Sequence, residues 1–342
     1  MTDSTRENAP LMGASPVSLS TDGDSASALP PSGLVSHRRA GGGWVARAEI
    51  TLLSAPAVIV FLVFVILPVF VAAYYGFFRW KGFGPTQWVG FHNYAVLLQD
   101  SEFWQAVSHN FEIVILSLIF QGPIALAFAL LLNKKMRGQS LIRILIFVPY
   151  VISEAVAGIG WSLLLCGQQG AFQSLMTTMH LNFLNQQWLS NPHLALWTLM
   201  IILTWKYIGY ATILFLAGLQ GIPEELNEAA SIDGASYWQT QRGITLPLLG
   251  PTIRIWAFLS IIGSLQLFDM VYVLWGYGVA KVAGVSTMAT YMFNYGRGSG
   301  NYGYGSAVAV VMFILSLVIA LLYQRYVLRR DTEGALTGGG TR

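Results

Sequence analysis

Charged residues are scarce in this chain. They make up 10% of its 342 residues, against about 25% in an ordinary soluble domain. With 54% hydrophobic residues and a mean hydropathy of +0.56, that scarcity excludes a conventional soluble fold and indicates a membrane protein. Cysteine is nearly absent. The single Cys166 excludes disulfides and thiolate metal sites within the chain, and it reads as a small core hydrophobe. The five histidines (His37, His92, His109, His180 and His193) show no HExxH or other metal spacing. No G-x-x-x-x-G-K-[ST] loop occurs, so the chain has no recognisable nucleotide site of its own. The Lys and Arg residues form no single stripe or patch, which argues against nucleic acid. The first 48 residues have almost no large apolar side chains. Such a segment cannot bury enough surface to offset its chain entropy, and disorder is expected. It lacks the apolar core of a conventional signal peptide. Residues 331–342 form a second, Gly/Thr-rich flexible end.

Between these ends, residues 49–330 hold six apolar segments long enough for a bilayer core of ~30 Å. They cover about residues 50–78, 111–132, 141–165, 194–219, 252–275 and 307–328. The expected fold class is therefore all-α integral membrane, with six transmembrane helices. Orientation follows from Lys and Arg near the span ends. Lys134, Lys135, Arg137 and Arg143 surround the loop after the second span. Arg38, Arg39 and Arg47 precede the first span, and Arg325, Arg329 and Arg330 close the last. The opposite side is poorer in cations, so both termini are expected in the cytoplasm of a bacterial cell. Trp80, Trp88 and Trp104 read as interfacial anchors on the outer side.

The densest acidic stretch lies between the fourth and fifth spans, on the cytoplasmic side by this topology. Pro223 follows Gly221 and Ile222, a way to end one helix and start the next. Glu224 and Glu225 then fall in the first turn, where the positive dipole end favours them. Asp233-Gly234 is a stop signal, and a second helix is expected to begin near Ala235 or Ser236 and run toward Ile244. The expectation is a helix–turn–helix across the cytoplasmic mouth.

The spacing within this segment is specific. Glu228-Ala229-Ala230 is followed by three residues, Gly234, nine residues, Ile244, one residue and Leu246-Pro247. It resembles the EAA loop of importer permeases of the ATP-binding-cassette (ABC) superfamily. The Asp233-Gly234-Ala235 triplet is similar to the carbohydrate branch, and the whole of residues 50–330 looks like the first, maltose-type permease of a heterodimeric pair. The resemblance implies an importer-type ABC permease fold with a cytoplasmic coupling loop. It also implies a second homologous permease, a dimeric cytoplasmic ATPase that binds the ATP and Mg, and an extracytoplasmic sugar-binding protein. This chain would itself hold no cofactor. Glu228, Ala229, Ala230, Asp233 and Gly234 would carry ATPase coupling: Glu228 by pairing with a cation, the alanines by permitting close approach, Gly234 by setting the turn.

Polar groups inside spans are costly and functional by default. Lys206 sits mid-way along the fourth span, with Tyr207 and Tyr210 on the same helix face. Ser260 and Ser264 form a comparable stripe on the fifth. By the resemblance these five residues would line the sugar pathway, and hydroxyl and aromatic groups suit sugar rings. Lys206 is alternatively an ion-pair partner of Glu154 or Asp269. The reading is an ATP-driven importer permease for a di- or oligosaccharide. Its rival is a proton-coupled secondary sugar transporter with Glu154, Lys206 and Asp269 as relay. No nucleophile–base or metal set supports an enzyme.

Overall fold

The computed structural model describes residues 44–134, 136–167, 170–181 and 186–328. Residues 1–43 of the expected disordered segment and the whole of the expected flexible tail, 331–342, lie outside the described residues, as do Lys135, Arg329 and Arg330. By its contacts the chain divides into two units, Met1–Val58 and Ile59–Arg342. The described part of the first is helical from Trp44, ahead of the expected boundary at residue 49.

Helices dominate. In chain order they are α1 (Trp44–Phe61), α2 (Leu67–Tyr75), α3 (His92–Gln99), α4 (Ser101–Leu116), α5 (Gly122–Leu132), α6 (Gln139–Val151), α7 (Glu154–Leu165) and α8 (Ala171–Thr178). There follow α9 (Pro192–Gln220), α10 (Glu224–Ile232), α11 (Tyr237–Thr240), α12 (Leu246–Leu265), α13 (Asp269–Trp275), α14 (Val279–Val282), α15 (Met288–Phe293) and α16 (Tyr302–Tyr323). Two-residue strands, β1 (Phe78–Arg79) and β2 (Gln87–Trp88), pair antiparallel with Phe78 opposite Trp88. Five stretches are long and apolar enough to cross a membrane: Thr51–Tyr75, Ser101–Leu132, Pro192–Gln220, Tyr237–Leu265 and Tyr302–Leu328. A sixth candidate is α6 with α7, a pair bent by 96°.

That bend divides the third span expected over about 141–165. Pro149 removes a backbone donor within the last turn of α6. Ile152 and Ser153 then take extended conformations, and the Ser153 hydroxyl caps α7 by accepting from Val156 N at 3.3 Å. Glu154 follows in the first turn, where a carboxylate is favoured. A helix-start signal is thus written inside an apolar run. The fifth span breaks likewise. It ends at Leu265, and Asp269 opens the separate helix α13, rather than one helix running to Trp275.

Three apolar clusters hold the second unit together. Leu199 and Ile202 of α9 pack with Ala157 of α7 and Met270 and Val271 of α13. Leu97, Phe103, Tyr291 and Val308 join α3, α4, α15 and α16. Ala125 of α5, Phe215 of α9, and Leu249 and Trp256 of α12 form the third. The α6–α9 crossing is close. A Cβ on Gly209 would overlap the Ile146 carbonyl and approach Phe147 Cα at 2.8 Å. Backbone cannot yield as a flexible side chain does. Gly209→Val is therefore expected to destabilise the fold by about 3 kcal/mol or more. A fluorescence melting curve of the purified protein checks this, since an unchanged midpoint would mean that the crossing is loose.

At the end of the bundle near α15, hydroxyls of tyrosines meet carboxylates. Tyr291 donates to Asp100 at 2.5 Å and its oxygen lies 2.7 Å from that of Tyr304. Tyr295 donates to Glu102, which also pairs with Lys281 at 2.5 Å. Burial first, and the accepting carboxylates second, push the Tyr291 and Tyr295 phenols well above their ordinary value of 10.0, so both remain donors.

Candidate functional site: a cavity between α4, α9 and α12, and a helical hairpin

A cavity of about 270 Å³ opens between the α4–α5 span, α6, α9 and α12. Four of the five residues expected on a pathway surface line it: Tyr207, Tyr210, Ser260 and Ser264. Helix periodicity explains this, since 203, 207 and 210 share one face of α9 and 256, 260, 263 and 264 one face of α12. Ser264 is held in place through its backbone. Asn110, fully buried, donates to the Ser264 carbonyl at 2.6 Å and accepts from Met288 N at 2.8 Å. That ties the end of α12 to α4 and α15.

Sequence reasoning missed part of the lining. Ser117 and Gln121 face the cavity from a π turn, Ser117–Gln121, inside the second span. The Ser117 hydroxyl donates to Gln121 at 2.5 Å, and its oxygen lies 2.7 Å from the hydroxyl of Ser260. Two polar residues four apart in an otherwise apolar span were a legible signal. Tyr150 was not legible. It reaches the cavity because α6 ends there, and its ring stacks on Tyr210 at 5.0 Å.

Lys206 has a different place from the one expected. It is only 3% exposed and does not line the cavity. Its ammonium donates to the carbonyls of Pro149 at 3.3 Å, Tyr150 at 3.2 Å, and Ile152. These are acceptors at the end of α6, where carbonyls lack helical partners and the dipole is negative. The next residue, Tyr207, donates its hydroxyl to Glu154 at the start of α7. Consecutive residues of α9 therefore hold both sides of the bend: a cation on the C-terminal end of α6, a hydroxyl on the first carboxylate of α7. The alternative of a direct Lys206–Glu154 or Lys206–Asp269 ion pair does not occur within the described residues.

The second feature is the hairpin α10–α11. Pro223 stands at the N-cap, and Glu224 and Glu225 occupy the first turn. The helix closes with Ala235 N donating to Ala230 O at 2.9 Å and Gly234 N to Ser231 O at 3.1 Å. This double closure needs a left-handed residue at its second position, and Gly234 has φ +75°. Ser236 then opens α11 with a capping box to Gln239. From Tyr237 the chain runs through a π turn, Gln241–Thr245, into α12 without a break. The hairpin is thus continuous with a cavity-lining span. Glu228, Ala229, Asp233 and Gly234 are exposed, whereas Ala230 is 7% exposed and faces inward. Ile232, 86% exposed, and Trp238, 69% exposed, add apolar surface to the same hairpin. On its inner side the Lys134 ammonium sits 4.2 Å from the Tyr237 ring, linking α11 to the end of α5.

Residues 121–331 match the profile of a family described as binding-protein-dependent transport system inner membrane component. The chain belongs to this family. Its matched region begins at the cavity residue Gln121 and includes α6, α9, the hairpin and α12. This permease is 33% identical over 273 residues to the trehalose/maltose transport system permease protein of Thermococcus litoralis, covering 80% of this chain and 91% of that one. It is also 33% identical over 277 residues to the arabinooligosaccharides transport system permease protein of Bacillus subtilis, covering 81% and 87%. Its fold matches a crystal structure of a bacterial ABC transporter involved in importing the acidic polysaccharide alginate. There the TM-score is 0.72 at 24% identity, over 84% of this chain and 98% of that one. The family is one of multi-pass transport components, and the permease takes its place among them as a membrane subunit rather than an enzyme.

Proposed function

We propose that this permease carries a di- or oligosaccharide inward across the bacterial cytoplasmic membrane as one half of a heterodimeric ABC importer pore. The observation that carries the reading is the cavity: hydroxyls, an amide and aromatic faces converge inside apolar spans, the set that a sugar ring requires. Named relatives that handle trehalose/maltose and arabinooligosaccharides support it. A loaded binding protein delivers sugar on the outer side, and ATP and Mg act in a separate ATPase dimer. Glu228, Ala229, Asp233 and Gly234 dock the hairpin on that ATPase, with Ala230 packed behind them. Closure of the ATPase moves α10–α11, the continuous α11–α12 rod moves with it, and Ser260 and Ser264 shift against Tyr207 and Tyr210. Lys206 maintains the α6–α7 bend that brings Tyr150 to the same wall. Both termini lie in the cytoplasm by the distribution of Lys and Arg.

Affinity purification of the tagged permease from its native membrane is expected to bring down a second permease and an ATPase. Proteoliposomes containing that complex and the binding protein are expected to take up sugar only with ATP inside the ATPase compartment. Uptake that follows an imposed proton gradient and ignores ATP would instead establish the secondary transporter.

A further inference from the structure

Binding-protein-dependent permeases with this fold handle both neutral and acidic glycans, as the alginate importer shows. The cavity distinguishes the two. No Lys, Arg or His is among its described lining residues. The one cation close by, Lys206, is turned away and engaged by three backbone carbonyls. Its donors are directed to the end of α6 and not into the cavity. The carboxylate nearest the wall, Glu154, accepts from the cavity residue Tyr207 and interacts electrostatically with Lys206. An anion entering this space loses its hydration and meets no compensating cation among the described lining residues. A neutral sugar meets none of these costs. Ser117, Gln121, Ser260 and Ser264 offer partners for its hydroxyls, and the stacked Tyr150 and Tyr210 supply ring surface.

We infer that the cavity accepts uncharged saccharides and rejects those bearing carboxylate or sulfonate groups. This rests on reading the cavity as the sugar pathway. Its volume, about 270 Å³, lies just below the usual range of ligand pockets, about 300 to 1,000 Å³. A short saccharide, or a longer chain passing a ring or two at a time, fits that space.

The test uses the assembled importer, both permeases with the ATPase and without binding protein, so that binding-protein selectivity does not enter. Melting midpoints are recorded with neutral di- and trisaccharides (trehalose, maltotriose, arabinotriose) and with a galacturonic acid trisaccharide at equal concentration and ionic strength. At least one neutral sugar is expected to raise the midpoint by about 2 °C or more, and the uronate to leave it unchanged. Tyr210→Ala is expected to erase the neutral shift. Ser264→Lys, which places a cation on the wall, is expected to create a uronate shift. A uronate shift of similar size in the unmodified complex, lost in Tyr210→Ala, overturns the charge selectivity while leaving the sugar pathway intact. A failure of every saccharide to shift the midpoint removes the pathway reading itself.

Discussion

Lys206→Met is expected to cost this permease its stability before it costs any contact with sugar. Methionine matches lysine in length and lipid compatibility but brings no donor. The carbonyls of Pro149, Tyr150 and Ile152 would lose the ammonium they share, a group only 3% exposed. An unsatisfied buried acceptor costs about 1–3 kcal/mol, so three together amount to about 3 kcal/mol or more. A melting midpoint lowered by about 5 °C or more follows. Transport falls with it, because the α6–α7 bend that delivers Tyr150 to the cavity loses its fastener. Tyr207→Phe removes a single hydrogen bond, to the Glu154 carboxylate, and is expected to cost less, about 2 kcal/mol. The ordering separates two roles for Lys206. If Lys206→Met melts like the parent yet fails to take up sugar, the lysine contacts substrate and the bend is held by something else.

Glu228→Lys is expected to do the opposite, leaving the fold intact and uncoupling it. Glu228 is exposed on α10, and lysine has nearly the helix propensity of glutamate. The permease should therefore express, pair and melt as before. Docking is another matter. A carboxylate that pairs with an ATPase cation in a closed interface is worth about 2–5 kcal/mol by truncation, and reversal adds repulsion. Each 1.4 kcal/mol is a factor of about ten in affinity, so ATP-driven uptake should drop by about tenfold or more. Replacing the facing cation of the ATPase by glutamate is expected to restore uptake in part. Undiminished uptake by Glu228→Lys would exclude this carboxylate from coupling.

The two substitutions probe features that differ in how far the sequence announced them. The hairpin was legible almost to the residue. Pro223, the two glutamates after it, Asp233-Gly234 and Ser236 are local signals, and they act through backbone within a few residues. The structure places α10, the positive φ of Gly234 and the capped start of α11 where those signals lie. The cavity was legible on one side. Tyr207, Tyr210, Ser260 and Ser264 follow from polar residues recurring at helical spacing in apolar spans. Ser117 and Gln121 carry the same signal on the second span.

Span count, apolar character, the hairpin and its EAA spacing belong to the sequence because each depends on hydrophobic length or on near neighbours. The sequence by itself determined that much, and with it the transport family. Tertiary structure decided what Lys206 does. A lone cation in a span must find acceptors, but only the crossing of α9 over the bend shows that they are the orphan carbonyls of α6. It decided that Tyr150 and Trp256 meet Tyr210 and Ser264 around one space, residues separated by up to 114 positions along the chain. It also left that space without a cation among its described lining residues. Contacts of that range depend on how helices pack, and packing is a property of the assembled bundle rather than of any one segment.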